Sequence, residues 1–510
     1  MASIPARPTA NLGIIGSMEP KAEETTNKWT VFALVAIGVF MATLDSSIVN
    51  ISLPAIAVSF RVSLSGAIEW VIIAYLVVIA ASLLTAGRLA DLIGRKPLWI
   101  AGLAVFTLGS ALCGAAPSLP VLILFRAVQG LGGAVLMAVS PALLTTAFPA
   151  SERGRALGLN AVIVASGVSA GPVLGGLITQ RLSWRWIFYV NLPIGLVGIA
   201  ATTFFLTERA ERKREGFDAL GAILLGLALA GVTGGLSFGE ELGWRSAPVL
   251  GMLAISAICL TAMVPVELKH PYPTLDLRLF RDRVFASTCA SLVLSFLALF
   301  AVGFMLPFYF QQLRGFDTEK SGLLLTPLPL MIAVFAPVSG GLADRLGTRW
   351  LASAGMAIMC LGLVLLGQID AHSSELDIVW RLLVIGFGVA LFQSPNNSAL
   401  LGSAPPDRRG IASGVLATCR VVGQSLSIAL AGAVFAGAGG SQAGRALLHA
   451  DPDQTAQLRD QLTSAFRTTF LTCAAVAAIG VVTSLIRGPE DRPGRKPGTE
   501  LRSRAGAEVA

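Results

Sequence analysis

The sequence has 510 residues, of which 54% are hydrophobic and only 13% are charged. Soluble domains carry roughly 25% charged residues, so the composition excludes an ordinary soluble protein. At roughly 20 to 25 residues per helical crossing, the apolar residues suffice for about a dozen membrane spans or more. The net charge of +8 comes from basic residues scattered over short loops, so nucleic acid is not expected as a partner. We predict an all-α polytopic membrane protein.

The sequence gives no sign of a metal or cofactor site. Each of the six cysteines lies in an apolar stretch, and none has a second cysteine or a histidine at ligand spacing. The three histidines fall in separate loops, and there is no glycine-rich phosphate-binding loop. We therefore expect no metal, no other cofactor, no use of ATP and no enzymatic activity. The first 29 residues lack an apolar core, which argues against a cleaved signal peptide.

Apolar runs separated by charged or Pro/Gly-rich turns predict fourteen membrane spans. Starting with the N-terminal segment, every second loop is rich in basic residues, and together these loops contain most of the 38 Lys and Arg residues. The positive-inside rule places those loops and both termini in the cytoplasm. The predicted spans are residues 30–52, 67–87, 97–116, 119–141, 156–180, 186–206, 217–238, 247–267, 284–311, 321–343, 350–369, 377–402, 409–436 and 464–486.

An internal repeat divides the chain into two halves. GRLADLIGRKPLW at 87–99 and GGLADRLGTRWLA at 340–352 lie 253 residues apart (340 minus 87), and each joins a second span to a third. Two parallel six-span halves are expected, with a substrate cavity between them near the membrane midplane. Spans 7 and 8 have no counterpart and form an insertion. The predicted segments are a cytoplasmic tail, the first half, a linker with the two extra spans, the second half and a disordered cytoplasmic tail, at 1–29, 30–206, 207–283, 284–487 and 488–510.

Five short sequence motifs follow one another along the chain. They are LDSSIVNISLP at 44–54, GRLADLIGRKPL from 87, LILFRAVQGLGGA at 122–134, GVSAGPVLGG at 167–176 and WRWIFYVNLPIG at 184–195. In this order they resemble motifs of the major facilitator superfamily, and within it of the fourteen-span drug:proton antiporter family of EmrB/QacA type. The resemblance extends from about residue 30 to residue 486.

The resemblance implies a secondary transporter of the bacterial cytoplasmic membrane. It would export hydrophobic or amphipathic small molecules in exchange for protons by alternating access, driven by the proton gradient without ATP. The expected partners are the small-molecule substrate, protons and the lipid bilayer. We expect a monomer; the sequence does not tell whether a periplasmic adaptor protein takes part.

The repeated loop motif is interpreted as a conformational latch between the halves. Its residues are Gly87, Asp91, Gly94, Arg95 and Asp344. Gly87 is expected to permit close helix approach, and Asp91 to pair with a neighbouring helix end. The alternative is a basic cytoplasmic turn that serves only the positive-inside rule.

Small residues form a ridge on the fifth span, because residues four apart share a helix face. The ridge contains Gly167, Gly171, Gly175, Gly176 and Pro172. Such a ridge allows tight helix packing in lipid, and the proline loosens the helical hydrogen bonds. A role in antiport is implied by the resemblance, and an ordinary helix contact remains the alternative.

Asp45 is the one carboxylate that the predicted spans place deep in the membrane, where an ionisable group is costly. Asp45 lies seven residues before the predicted end of span 1, and Arg126 lies seven residues after the predicted start of span 4. Both would therefore lie at the same depth, roughly 10 Å below one surface, where they can pair. Asp45 is interpreted as a proton switch that alternately binds a proton and engages Arg126 or a cationic substrate. A permanent structural ion pair is the alternative.

A few further side chains are weaker candidates for lining a substrate cavity. Arg420 has two readings: it organises a polar network with Gln424 and amide side chains of span 12, or it meets an anionic substrate group. Glu69 is expected to be solvated at the end of a span. The cavity candidates are Tyr75, Gln129, Phe308, Asn396, Arg420 and Gln424.

Two other functions remain open from the sequence. A dedicated exporter or importer of one metabolite or antibiotic would have the same fold, because the fold does not fix the substrate. A membrane sensor without flux is the alternative outside transport, although no soluble domain larger than a loop is present.

Overall fold

The computed structural model describes residues 26–62, 66–149, 152–207, 218–271, 273, 275–405, 408–447 and 452–487. All regular structure in these ranges is helical, so the all-α prediction is confirmed. The predicted tails fall largely on residues 1–25 and 488–510, which lie outside the described ranges. The helices are α1 (Lys28–Ser59), α2 (Gly66–Ile93), α3 (Arg95–Ala115), α4 (Leu119–Ala147), α5 (Arg153–Arg181), α6 (Trp186–Tyr189), α7 (Asn191–Phe205), α8 (Ala219–Leu242), α9 (Ala247–Lys269), α10 (Arg283–Phe308), α11 (Thr318–Leu325), α12 (Pro327–Leu346), α13 (Thr348–Leu366), α14 (Glu375–Ser403), α15 (Arg409–Gly437), α16 (Gly440–Leu447) and α17 (Pro452–Leu485).

Thirteen helices of the described residues are long and apolar enough to cross a membrane. Two of these candidates combine neighbouring helices, since α6 and α7 form one and α11 and α12 form another. The twelfth predicted span corresponds to α14, a helix of 29 residues that is not among the thirteen. Its first turn carries Glu375 and Asp377, and polar residues follow at Gln393, Asn396 and Asn397. The total of fourteen spans therefore stays a prediction.

The structure extends several helices beyond the predicted spans and contains one helix that was not predicted. Helix α1 continues to Ser59, past Pro54, because the residues that follow the proline are still apolar. Helix α17 begins at Pro452, twelve residues before the predicted span (464 minus 452), because a polar segment precedes the apolar run and is also helical. The short helix α16 was not predicted, since its residues are polar or small.

We call the end of the bundle at which α1 begins the terminal end, and the other end the opposite end. At the terminal end, Lys28 Nζ lies 2.6 Å from Glu152 Oε2, so the start of α1 meets the start of α5. Beside them, Thr26 Oγ1 donates to the Phe205 carbonyl at the end of α7. At the opposite end, Gln311 Nε2 donates to the Ile51 carbonyl over 3.0 Å, which joins the region after α10 to α1. The first half, α1–α7, thus contacts the second half, α10–α17, at the opposite end.

The sequence repeat corresponds to a repeated turn. Gly94 precedes α3 with a φ of 101°, and Gly347 precedes α13 with a φ of 87°. A positive φ of this size is strained for any residue with a Cβ atom, so glycine is required at both places. The two turns lie 253 residues apart (347 minus 94), as the loop motif predicts.

The insertion forms a helical hairpin that contacts both halves. Helix α9 packs on α8, where Ser256 Oγ donates to the Ala228 carbonyl over 2.8 Å. Helix α8 in turn packs against α2 of the first half and α15 of the second. The inserted pair therefore lies along one edge of the boundary between the halves.

Candidate functional site

The ion pair expected from equal depth forms in the core of the first half. Arg126 Nη1 of α4 donates to Asp45 Oδ2 of α1 over 2.7 Å, and both side chains are fully buried. The extension of α1 beyond residue 52 does not disturb the pairing, because Asp45 keeps its position relative to α4. A buried charge is tolerated when it is paired and its remaining hydrogen-bonding groups are satisfied.

Two neutral side chains complete the coordination of Asp45. Gln129 Nε2 and Asn191 Nδ2 donate to Asp45 Oδ1 over 2.8 and 2.9 Å. Gln129 stands three residues after Arg126 on the same face of α4, and its Oε1 also accepts from Arg126 Nη1 over 2.7 Å. Asn191 begins α7 and donates in addition to Ser110 Oγ over 2.9 Å. One carboxylate thus connects α1, α4 and α7.

Arg126 also connects this network to α2. Its Nε donates to the Val71 carbonyl over 2.9 Å. Its guanidinium carbon lies 4.1 Å from the centroid of the Tyr75 ring, a distance at which a cation is attracted to an aromatic face. A change in the charge of Asp45 would therefore act on four helices at once.

The hydrogen bonds of the network depend on the charge of Asp45. While Asp45 is ionised, it accepts hydrogen bonds from Arg126, Gln129 and Asn191. Protonation removes the attraction to Arg126 and replaces an acceptor by a donor. The described residues contain no group of three or more His, Cys, Asp and Glu side chains that could hold a metal ion.

The glycine ridge of α5 packs on α1. A Cβ atom at Gly167, Gly171 or Gly175 would lie 2.2 Å from Thr43 Oγ1, 1.6 Å from Ser47 Oγ and 2.6 Å from Ile51 Cγ2, respectively. These glycines therefore permit the close approach that the sequence predicts. The helix that they contact is the one that carries Asp45.

The other residues of the ridge face the second half. A Cβ atom at Gly176 would lie 2.5 Å from the Thr318 carbonyl oxygen at the start of α11. One turn earlier, the Pro172 carbonyl oxygen would lie 2.0 Å from a Cβ atom at Gly322. Helix α5 thus contacts α1 and α11, so a contact within the first half is continuous with one between the halves.

The latch residues have contacts within the first half. Arg95 donates to the Ala142 carbonyl over 3.1 Å and to Thr146 Oγ1, both at the end of α4. The expectation that Gly87 permits close helix approach is wrong for this structure, because a Cβ atom there would meet nothing within 4 Å. The side chains of Asp91 and Asp344 lie outside the described part of the structure. The role of the latch stays a prediction.

The cavity candidates separate into buried and partly exposed side chains. The buried ones do not line an open cavity in this conformation, because they pack in the interior or serve the Asp45 network. Those four are Tyr75, Gln129, Phe308 and Asn396. Arg420 and Gln424 on α15 are partly exposed and remain candidates.

The polar network expected around Arg420 does not form as predicted. Asn396 Nδ2 instead donates to the Thr288 carbonyl over 3.1 Å, and Asn396 Oδ1 accepts from Arg487. Arg487, two residues after the end of α17, is fully buried and binds an amide that was expected to bind Arg420. The guanidinium carbon of Arg420 lies 5.5 Å from the Phe296 ring centroid. The sequence indicated the depth of Arg420 along its helix. It did not show on which face of the helix the side chain lies.

Sequence reasoning also missed two polar residues of the interior. Asn191 was quoted within WRWIFYVNLPIG but given no role, although an amide inside an apolar run is itself a signal. Glu69 was expected to be solvated and is instead 1% exposed. The expectation failed because its position near a helix end does not show that α8 and α15 cover it.

Comparison with known proteins places this arrangement in a family. The sequence profile of the Major Facilitator Superfamily matches residues 35–428. The chain belongs to this superfamily. Among solved structures, a bacterial homolog of the human lysosomal transporter Spinster, inward-facing and unoccupied, aligns with a TM-score of 0.66 at 15% identity, over 90% of this chain and 96% of that one. The xylose transporter XylE from E. coli, partially occluded and inward open, gives 0.61 at 13% identity, over 92% and 99%. These likenesses show the fold alone.

Sequence relatives include transporters with different named cargoes. Multidrug resistance protein Stp of Mycobacterium tuberculosis (strain CDC 1551 / Oshkosh) is 35% identical over 413 residues, which cover 80% of this chain and 76% of that protein. Riboflavin transporter RibZ of Clostridioides difficile (strain 630) is 35% identical over 80% of this chain and 87% of its own. The tetracenomycin C resistance and export protein of Streptomyces glaucescens is 32% identical over 80% and 76%. The chain is therefore a membrane transporter with multidrug-resistance relatives.

Proposed function

We propose that the protein is a proton-coupled antiporter that exports hydrophobic or amphipathic small molecules by alternating access. The observation that carries the proposal is the buried Asp45–Arg126 pair, at 2.7 Å between Oδ2 and Nη1. A proton on Asp45 would free Arg126 and loosen α1 from α4, so that proton binding and helix movement are linked. The names of several relatives, which describe multidrug resistance, support the substrate class.

The proposal includes a location and an orientation. The terminal end of the bundle would face the cytoplasm of a bacterial cell, with fourteen spans in the cytoplasmic membrane. The chain would act as a monomer, take its energy from the proton gradient and need neither ATP nor a cofactor. The loop residues Arg95 and Asp91 would steady the terminal end while the halves exchange conformations.

The test is proton movement in inverted membrane vesicles. Ethidium or tetraphenylphosphonium, added to vesicles with an acidified interior, should release protons when the wild-type protein is present. Asp45→Asn should abolish this exchange, whereas Glu240→Gln, which neutralises an exposed carboxylate at a helix end, should leave it unchanged. Full proton-driven export by Asp45→Asn would rule out the switch.

A double variant separates the switch from a permanent structural pair. Asp45→Asn alone leaves a buried guanidinium uncompensated, which typically costs about 3 to 5 kcal/mol. Removing both charges in Asp45→Asn/Arg126→Gln relieves that cost. If the pair were only structural, the double variant would regain thermal stability and proton-driven export together. The switch predicts recovery of stability without recovery of proton coupling.

A dedicated carrier of one compound is the second candidate. It is favoured by the relatives named for riboflavin transport and for tetracenomycin C export, which are about as similar to this chain as the multidrug proteins. Vesicles that respond to none of the cationic dyes, but in which one anionic or neutral metabolite moves, would support it. The partly exposed Arg420 would then be the first residue to replace.

A further inference from the structure

Glu69 lies where the two halves and the insertion meet. It stands in the first turn of α2, at the opposite end of the bundle, and only 1% of its surface is exposed. Ser237 Oγ of α8 donates to Glu69 Oε2 over 2.6 Å. On the other side, a Cβ atom at Gly432 of α15 would lie 1.6 Å from Glu69 Oε1, so only glycine leaves room for the carboxyl group.

The surroundings of Glu69 differ from those of Asp45 in charge. Asp45 has a guanidinium and two amides as partners. Within the described part of the chain, Glu69 has one hydroxyl partner and no Lys or Arg at ion-pair distance. A buried carboxylate without a cation is expensive, by several kcal/mol, and burial favours the neutral carboxylic acid. A serine hydroxyl suits both states, because it can donate or accept.

The other charged groups around this place do not provide a counter-ion. On α8, Glu241 acts on Glu69 with the same sign of charge, and Glu240 lies near α15, 3.7 Å from a Cβ atom at Gly437. Helix α15 presents Gly432 to the carboxyl group. On α4, which packs against α2, Arg126 is already bound to Asp45. The charge of Glu241 makes the ionised form of Glu69 less favourable still.

The contact with Gly432 links the protonation of Glu69 to the position of the halves. Helix α2 belongs to the first half and α15 to the second, so the carboxyl group is buried while these helices are in contact. Separation of the halves at this end would admit water to Glu69 and favour the ionised form. Helix α2 also carries the Val71 carbonyl that Arg126 binds, two residues from Glu69. Glu69 therefore lies on the helix that Arg126, the partner of Asp45, contacts.

We propose that Glu69 is a second proton-binding carboxylate of the transport cycle: it takes up a proton from the solvent at the opposite end as α2 closes on α15, and returns it to that solvent when the halves separate there, so that it controls closure and carries no proton across the membrane. The inserted pair would then have a role in closure, because α8 supplies Ser237 and covers the carboxyl group. The proposal rests on the alternating access proposed above. The protonation of Glu69 is nevertheless measurable without any transport.

The first experiment is infrared difference spectroscopy of the purified full-length protein in lipid. A carboxylic-acid C=O band should be present at neutral pH, disappear on alkaline titration, and be absent in Glu69→Gln. Glu241→Gln, with an exposed carboxylate on α8, should keep the band. In Ser237→Ala the band should persist to higher pH, because the ionised form loses its hydrogen bond. A spectrum of Glu69→Gln identical to that of the wild type would overturn the proposal.

The second experiment is transport with ethidium as the probe. Ethidium-driven proton release in inverted vesicles should be slowed in Glu69→Gln, because a neutral side chain that cannot ionise favours closure at the opposite end. It should be retained in Asp460→Asn, which neutralises an exposed carboxylate on α17. Undiminished proton release in Glu69→Gln, with an active wild type, would overturn the role of Glu69 in closure. If the wild-type protein itself moves neither ethidium nor protons, the proposed function fails, while the infrared titration still decides whether Glu69 binds a proton.

Discussion

Asp45 accepts hydrogen bonds from three side chains, which come from two other helices. Arg126 and Gln129 reach it from α4, and Asn191 reaches it from the start of α7. A single protonation would weaken all three hydrogen bonds, since a neutral carboxyl group is a poorer acceptor than a carboxylate. In the proposed cycle, one proton on Asp45 would therefore change the packing of α1 against α4 and α7.

Asn191 offers a test of this arrangement at one side chain. Asn191→Ala removes a hydrogen bond to the ionised form of Asp45, and hydrogen bonds to charged groups are worth about 1.5 to 3 kcal/mol. We expect the free energy of unfolding to fall by roughly this amount, because α7 loses its direct link to Asp45 of α1. The measurement is the thermal unfolding temperature in detergent.

The control for Asn191→Ala lies on the same helix. Thr202→Val alters a fully buried side chain of α7 that does not contact Asp45. Its unfolding temperature should be close to that of the wild type. An unchanged unfolding temperature in Asn191→Ala would show that this hydrogen bond does not hold α7 to α1.

The residue scale shows where sequence reasoning ends. Asp45 and Arg126 were paired correctly because depth follows from helix rise, and both lie in long, clearly bounded apolar runs. Glu69 and Arg420 were misjudged because burial depends on which neighbouring helix covers a given face. Depth is a property of one helix, whereas burial is a property of the packed bundle.

At the scale of the single helix, the packing of α5 against α1 depends on the absence of side chains on one face of α5. A Cβ atom at Gly171 would overlap with Ser47 Oγ and lie 3.0 Å from the Ile48 backbone nitrogen. The backbone atom cannot move aside as a flexible side chain could. The helices α1 and α5 must therefore separate if Gly171 is replaced.

Gly171→Ala should consequently destabilise the protein. Overpacking of this kind typically costs about 1 to 3 kcal/mol, and we expect a lower thermal unfolding temperature in detergent. Gly158→Ala on the same helix is the matched control, because a Cβ atom there meets nothing within 4 Å. Equal unfolding temperatures for the two variants would contradict the packing of α1 on α5.

The repeated turns before α3 and α13 show how much a motif predicts about an element. The recurrence of glycine in GRLADLIGRKPLW and GGLADRLGTRWLA indicated equivalent loops, and the positive φ of Gly94 and Gly347 agrees with that. The same motif did not reveal that Gly87 has open space around it. A glycine in a motif is structurally required only where its φ angle is positive or where a neighbouring atom leaves no room for a Cβ atom.

At the scale of the whole molecule, the halves are joined at the opposite end. Arg181 and Glu319 lie on different halves, 3.5 Å apart between Nη2 and Oε2. The Thr318 backbone nitrogen donates to Gln180 Oε1 beside them over 3.4 Å. The proposed alternating access requires these contacts to break in each cycle.

A cross-link between the halves should therefore stop transport. In a background without accessible native cysteines, Arg181→Cys/Glu319→Cys treated with a short bismaleimide should lose ethidium export. Lys28→Cys/Glu152→Cys is the matched control, because that pair joins two parts of the first half. It should keep transport after cross-linking. Export that continues through the Arg181–Glu319 cross-link would show that this end does not open.

The overall architecture was largely predictable from the sequence, for a physical reason. Membrane helices must satisfy their backbone hydrogen bonds internally, so each long apolar run becomes a helix. Polar helical segments such as α16 and the start of α17 escaped, because the apolar signal is absent there. The placement of α8 against both halves also escaped, since contact between distant helices leaves no periodic pattern.

The position of α8 has a consequence for the route by which a substrate would enter the protein. Because α8 packs against both α2 and α15, the insertion covers one edge of the boundary between the halves. On the other edge, α5 meets α11 and α12 with no inserted helix between them. We expect the cavity between the separated halves to be open to the bilayer only along the α5–α12 edge. Amphipathic molecules dissolved in the bilayer would then enter sideways from one defined flank of the protein.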